Sequence, residues 1–254
     1  MLIDTHSHLY LPQFDDDIDL VIENAIKKNI EKIYLPNIDS STIKRMKNLE
    51  NKYPDLFRSM IGLHPGSVDK NYKKELDIVE KELTKGIYAG VGEVGIDLYW
   101  DKSFKNEQID AFEIQVKWAK KYNLPVIIHA RDAMDLTIDI IERNQSENLT
   151  GIFHCFTGNI NQAFRIMKTG FLMGIGGIVT YKNSGLDKVV IEIPMEYIVL
   201  ETDSPYLPPV PYRGKRNESS YITYITKKIA EIKNLPIEEV VKITSDNAIR
   251  LFDT

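Results

Sequence analysis

VIIHARD, Val126 to Asp132, carries the pattern that decides the fold. Three β-branched apolar residues in a row read as a short strand covered on both faces, since a strand with one wet face alternates apolar with polar. The run then closes on a histidine, and the chain turns polar. The same grammar returns in IDTHSH at Ile3–His8, IGLHP at Ile61–Pro65 and IFHCFTG at Ile152–Gly158, so all five histidines stand at the ends of apolar runs. Glu93 in AGVGEVGID and Asp203 in IVLETDSP hold the same kind of position.

Working outward, the sequence predicts eight short buried strands: Met1–Asp4, Lys32–Pro36, Phe57–Gly62, Tyr88–Glu93, Pro125–His129, Gly151–His154, Phe171–Ile175 and Tyr197–Leu200. Helical patterns lie between them, at Asp17–Asn29, Ser41–Tyr53, Tyr72–Lys85, Lys105–Tyr122, Ala133–Asn144, Ile160–Thr169 and Gly185–Val190. In the fourth, Ile109, Phe112, Val116 and Ala119 make an apolar stripe at spacings of three and four. Two more helices, Ser220–Asn234 and Ile237–Phe252, follow the last strand. This alternation over 254 residues predicts a (β/α)8 TIM barrel, with a doubly wound open sheet as the alternative. No Gly-Ser linker, charge block or repeat divides the chain, so residues 1–254 are expected to form a single domain.

Composition narrows the function. Hydrophobic content of 43% and charged content of 27% suit a globular chain. No stretch approaches the roughly 20 apolar residues of a membrane span. A net charge of −5 argues against coating nucleic acid by bulk electrostatics, while leaving room for a local basic patch. Met1–Tyr10 carries acid and histidine where a secretion signal needs a basic and then an apolar region, and Cys155 is the single cysteine. A cytoplasmic, monomeric protein is the expectation.

A barrel gathers the ends of its strands at one rim, where this fold keeps its chemistry. His6 and His8 are two apart, so in an extended strand both imidazoles face one way. His129, His154, Glu93 and Asp203 end other strands. Imidazoles with carboxylates suit zinc, manganese or a related divalent ion, and six such groups exceed the needs of one tetrahedral ion. Two divalent metal ions bridged by a carboxylate are therefore expected, an arrangement that can clamp both the attacking and leaving oxygens of a phosphoryl transfer. Asp203 is the expected base, because a ligating carboxylate keeps an oxygen free for the water's proton.

The remaining candidates each have two readings. His64 would touch the substrate phosphate or protonate a leaving oxygen, or else bond a loop. Arg131, two residues past His129, would hold phosphate bidentately, or pair with Asp132 or Glu93. Glu201 faces the same interior as Asp203 and would accept the N–H of a ligating histidine, or be a structural barrel charge. Arg213 and Arg216, with Lys215, place positive charge in the loop after the eighth strand, fit for phosphate or merely solvated. Trp100, Tyr206 and Tyr212 could stack on bases, although Trp100 and Tyr206 read more readily as partly loop packing, and Cys155, beside His154, reads as a small buried filler in preference to a ligand.

Together, HSHL at His6–Leu9, GLHP at Gly62–Pro65, GEVGID at Gly92–Asp97, HARD at His129–Asp132, FHCFTG at Phe153–Gly158, LETDSPYL at Leu200–Leu207 and RGKRNE at Arg213–Glu218 resemble the TatD family of metal-dependent deoxyribonucleases, in the amidohydrolase-like superfamily. The resemblance runs from Asp4 to SDNAIRLF at Ser245–Phe252. It implies that His6, His8, Glu93 and Asp203 hold one ion, with Glu93 bridging to a second held by His129 and His154. The chain departs from the family where His64-Pro65-Gly66 replaces an HPH motif and Ser219 replaces a proline after RNE. DNA is the substrate so implied, single-stranded or at its ends, cut by a metal-activated hydroxide. An amide or ester hydrolase of a small molecule or aminoacyl-nucleic acid, and a binding protein that retains metal, are the alternatives.

Overall fold

The computed structural model describes residues 1–252. Residues 253 and 254 of the expected domain lie outside the described residues. Eight strands alternate with helices: β1 (Leu2–Asp4), α1 (Ile18–Lys27), β2 (Ile30–Pro36), α2 (Ile43–Lys52), β3 (Phe57–Met60), α3 (Tyr72–Leu83), β4 (Val91–Asp97), α4 (Lys105–Tyr122), β5 (Val126–Arg131), α5 (Met134–Asn144), β6 (Gly151–Phe153), α6 (Ile160–Lys168), β7 (Leu172–Ile175), α7 (Leu186–Val190) and β8 (Ile198–Leu200). Two helices follow, α8 (Ile222–Lys233) and α9 (Ile237–Phe252).

The strands form two parallel arcs, β1-β2-β3 and β4-β5-β6-β7-β8. Both gaps between the arcs are sewn by backbone bonds. Ala89 N–H donates to Ser59 O (2.9 Å) and Gly92 N–H to Ile61 O (3.0 Å) on one side. Thr5 N–H donates to Leu200 O (3.0 Å), Asp203 N–H to His6 O (2.9 Å) and His8 N–H to Ser204 O (2.7 Å) on the other. The sheet thus closes on itself, which gives the (β/α)8 barrel and excludes the open doubly wound sheet.

Two apolar layers hold this shape. Ile3, Tyr34, Met60, Ile127, Ile152, Leu172 and Val199 form a cluster of their own with Ala248 and Leu251 of α9. The larger cluster packs the helices against the strands. Each fully buried aliphatic side chain contributes about 1.5–3 kcal/mol. Because strand side chains alternate, stepping by two from the smaller cluster leads toward the site: Ile127 to His129, Ile152 to His154, Val199 to Glu201, Met60 to Gly62 and His64. The helices end on recognisable signals. α4 stops at Asn123 and α8 at Asn234, both left-handed (φ 52°), and α6 opens with a capping box between Asn159 and Gln162.

Strand boundaries differ from the sequence reading chiefly at β4. It begins at Val91 rather than Tyr88 and runs on to Asp97, so Glu93 lies inside the strand and not at its end. The register with β5 shifts between Val91 and Val94, an irregularity of the kind that re-aims a side chain beside a site. Gly95 lets the strand continue. Its φ of +139° is foreign to L side chains, and an added Cβ would collide with the His129 backbone. Likewise His129 sits within β5, which extends to Arg131.

Candidate metal centre

Glu93 is the hub. Its carboxylate is almost fully buried, and its two oxygens face different partners. Oε2 lies 3.2 Å from His6 Nε2 and 3.3 Å from His8 Nε2. Those two nitrogens are 3.2 Å apart, and Asp203 Oδ1 is 3.7 Å from the first and 3.6 Å from the second. Ligands about 2.1 Å from a tetrahedral ion stand about 3.4 Å from one another. The five measured edges of this four-donor figure therefore fit one cation. This is the β1/β8 set.

Oε1 faces the other way. It is 2.8 Å from His129 Nδ1 and 2.8 Å from His154 Nε2, and these nitrogens are 3.3 Å apart. This is the β5/β6 set. His64 Nε2 comes within 3.4 Å of the same oxygen. It differs from the other imidazoles, because its Nδ1 accepts the Gly66 N–H at 2.9 Å. A neutral His64 ring must then carry its proton on Nε2, which makes it a donor toward the cleft and not a ligand. That contact combines both of the expected readings, a loop bond on one nitrogen and a cleft-facing group on the other.

Three of the four ligand rings face a partner behind them, while His6 Nδ1 is buried without one among the described residues. The Tyr10 hydroxyl donates to Pro36 O (2.6 Å), so it accepts from His8 Nδ1–H (3.0 Å) and leaves the Nε2 lone pair for the set. Asp97 Oδ2 stands 3.1 Å from His129 Nε2, and Glu201 Oε1 stands 3.5 Å from His154 Nδ1. Carboxylates behind ligating histidines fix the tautomer and raise basicity. Glu201 also accepts the Cys155 N–H at 2.6 Å. Room for it comes from Gly174, where a Cβ would collide with Oε2. Asp4, fully buried, ties β1 to the chain beyond β8 through Thr202 N–H (3.0 Å), Thr202 Oγ1 (2.7 Å) and Ser219 Oγ (2.6 Å). Asp203 adopts φ +54°, a left-handed conformation that Asp tolerates better than most residues.

Electrostatics follow this geometry. Burial pushes the Glu93 carboxyl up, but the imidazoles of His154, His64 and His6 outweigh it and hold the group well below its ordinary range. Burial also drives Asp203 up to about 6, against the pull of His154 and His8. His6 is lowered well below an ordinary histidine by burial and by the charge of His154. For His154, burial is overcome by Glu93 and Glu201, which raise it well above the usual value.

His8, His64, Glu93, Asp97, His129, His154 and Asp203 line a cleft of about 410 Å3 together with Trp100 and Tyr206. All six expected ligands thus meet at one place. Asp97, Tyr10 and Asp4 were missed as supports, although Asp97, four residues past Glu93, shares its strand face. Arg131 is exposed at the rim, stacked 3.8 Å from the Tyr99 ring centroid. Arg213 stacks on Tyr181 at 4.4 Å. Arg216 is not brought to the cleft: its guanidinium grips Asp17 at 2.7 and 2.6 Å and packs on Phe14. Cys155 is half-buried, beyond the end of β6, where it lines a side pocket with His154 and Asp203 in place of filling the core.

The family model described as TatD related DNase matches residues 3–253. The chain belongs to this family. It is 41% identical over 253 residues to the uncharacterized metal-dependent hydrolase YabD of Bacillus subtilis, covering 99% of both chains. It is 34% identical over 267 residues to the uncharacterized metal-dependent hydrolase BU355 of Buchnera aphidicola, again covering 99% of both. Among solved structures, the TatD homologue YJJV of Escherichia coli superposes with a TM-score of 0.94 at 28% identity, over 100% of this chain and 98% of that one. The protein is accordingly a metal-dependent hydrolase of the TatD family, and its two donor sets around Glu93 form a site suited to two metal ions.

Proposed function

We propose that this TatD-family hydrolase is a deoxyribonuclease that cleaves DNA phosphodiester bonds, working from an end. The observation that carries the reading is Glu93, which divides its oxygens between two sets of ligands at the floor of a cleft. His6, His8, Asp203 and Glu93 would hold one divalent ion, and Glu93, His129 and His154 the other. Mixed imidazole and carboxylate donors suit zinc, manganese or magnesium. Ions so held would lower the pKa of a water and neutralise charge on phosphate oxygens.

The chain's own groups supply the rest. Asp203 accepts the proton of the attacking water on its free oxygen, a carboxylate that a bound cation would keep ionised. His64, lowered by burial and so neutral, donates Nε2–H to an oxygen of the phosphate. Arg131 at the rim offers a planar fork to the same group, and its stacking on Tyr99 holds it for that contact. Arg213 stacks on Tyr181, and Arg216 serves the fold through Asp17. The family's description as related DNases supports a nucleic-acid substrate over a neutral amide. The lone cysteine fits action in a reducing compartment such as the cytoplasm.

End-labelled single-stranded and duplex DNA, alongside ester and amide substrates, test the proposal with magnesium, manganese, zinc or EDTA present. Metal-dependent shortening of DNA that EDTA abolishes is the expected result. Turnover of an ester or amide with intact DNA would replace this reading by the alternative hydrolase.

A further inference from the structure

Trp100 lies just beyond β4, three residues after Asp97. It is 78% exposed, the most open large apolar side chain among the described residues. The sequence reading as loop packing therefore does not hold. The indole lines the catalytic cleft with Glu93, His129 and Asp203. Its neighbour Tyr99 meets it at 90°, centroids 4.8 Å apart, so the two rings touch edge to face without covering the indole. Arg131 lies over Tyr99 and reaches within 5.4 Å of the Trp100 ring centroid. Tyr206, 47% exposed, lines the same cleft with its ring 6.2 Å from His8.

An open indole beside a guanidinium, both next to carboxylates and imidazoles, matches a ligand that joins a flat ring to a phosphate. A nucleotide has that chemistry. A base inside a duplex already has both faces stacked, so the base that meets Trp100 is unpaired or stands at a strand end. We infer that Trp100 is the stacking face for a nucleobase, unpaired or at a strand end, beside the scissile phosphodiester, with Arg131 on the phosphate. This rests on the nuclease reading. Trp100 is a binding and positioning residue, since it makes no contact with the reacting atoms.

Trp100 also provides its own probe. The other tryptophan, Trp118 of α4, is buried, so a ligand in the cleft reports through Trp100 alone. Titrating the metal-loaded protein with a short phosphorothioate-linked oligothymidylate, which resists hydrolysis, should quench the emission, and Trp100→Phe should lose that signal. In steady-state assays Trp100→Ala should raise KM for single-stranded DNA about tenfold with a smaller change in kcat. The difference between wild type and variant should vanish on a substrate whose terminal residues are abasic. DNA that is hydrolysed without quenching, or an unchanged KM in Trp100→Ala, overturns the stacking role and leaves the nuclease reading intact. No hydrolysis of any DNA by the metal-loaded wild type overturns both.

Discussion

The two donor sets that share Glu93 are built to different standards. The β1/β8 set offers four donors, with His6 and His8 almost entirely out of solvent. The β5/β6 set offers three, on imidazoles that each lean on a carboxylate, and the His129 side chain keeps 16% of its surface exposed. Four donors should hold a cation more firmly than three, and the number of donors is what separates the sets, since Asp203, with 14% of its side chain exposed, opens on the cleft much as His129 does.

The largest effect should come from removing what the sets share. Glu93→Gln should abolish turnover, and metal analysis by mass spectrometry should show one ion retained at most. If both ions remain with normal rates, the hub assignment is wrong. Asp203→Asn comes next, with kcat reduced by about 10²–10⁴-fold as expected for loss of a general base. A pH–rate profile should lose its acidic limb in that variant, and near-normal turnover would remove Asp203 from the mechanism.

Asp97→Asn should weaken metal binding about 10–100-fold in the β5/β6 set while the β1/β8 ion stays. Tyr10→Phe should act on the other set. Competitive chelator titrations separate the two, and equal losses of both ions in either variant would erase the distinction between them. Acidity should divide the sets as well. His129 is raised because Asp97 and Glu93 outweigh its burial, and His154 is raised further, so both rings keep protons to higher pH. Cations compete with those protons. Uptake at the β5/β6 set should therefore release protons and weaken as pH falls through the raised values, whereas in the β1/β8 set His6, lowered by burial, has little to release and Asp203, raised to about 6, releases a proton only in the acid range. Calorimetry in buffers of different ionisation enthalpy measures the difference.

The smallest effect belongs outside both sets. Arg216→Ala should leave the rate untouched and cost at most about 1 kcal/mol of stability, because the pair with Asp17 is partly exposed and screened. The bond from Arg216 holds the Asp17 carboxyl below its usual range. Its contribution is present above the ordinary carboxylate pKa and fades as acid titrates the folded carboxyl. A rate loss larger than the stability loss would return Arg216 to the substrate.

Much of this was legible beforehand, and the reason is periodicity. Short apolar runs, several of them closing on a donor two residues beyond a core position, announce both a closed barrel and a rim site, as Ile127 with His129 and Ile152 with His154 illustrate. What stayed hidden depends on approach between distant segments. Arg216 looked like a phosphate ligand because nothing local reveals that Asp17, 199 residues earlier, comes to meet it. Asp97 looked like a motif residue until β4 proved long enough to carry it past Glu93 to the His129 ring. Trp100 failed in the opposite sense, since aromatic residues in loops usually find cover and this one does not.

Asp4, finally, ties completion of the site to contact between distant stretches of the chain. The segment that Asp4 clasps, Thr202 through Ser219, lies roughly two hundred residues along the chain from His6 and His8. Until that clasp closes, the folding chain holds imidazoles without their acidic counterpart at Asp203.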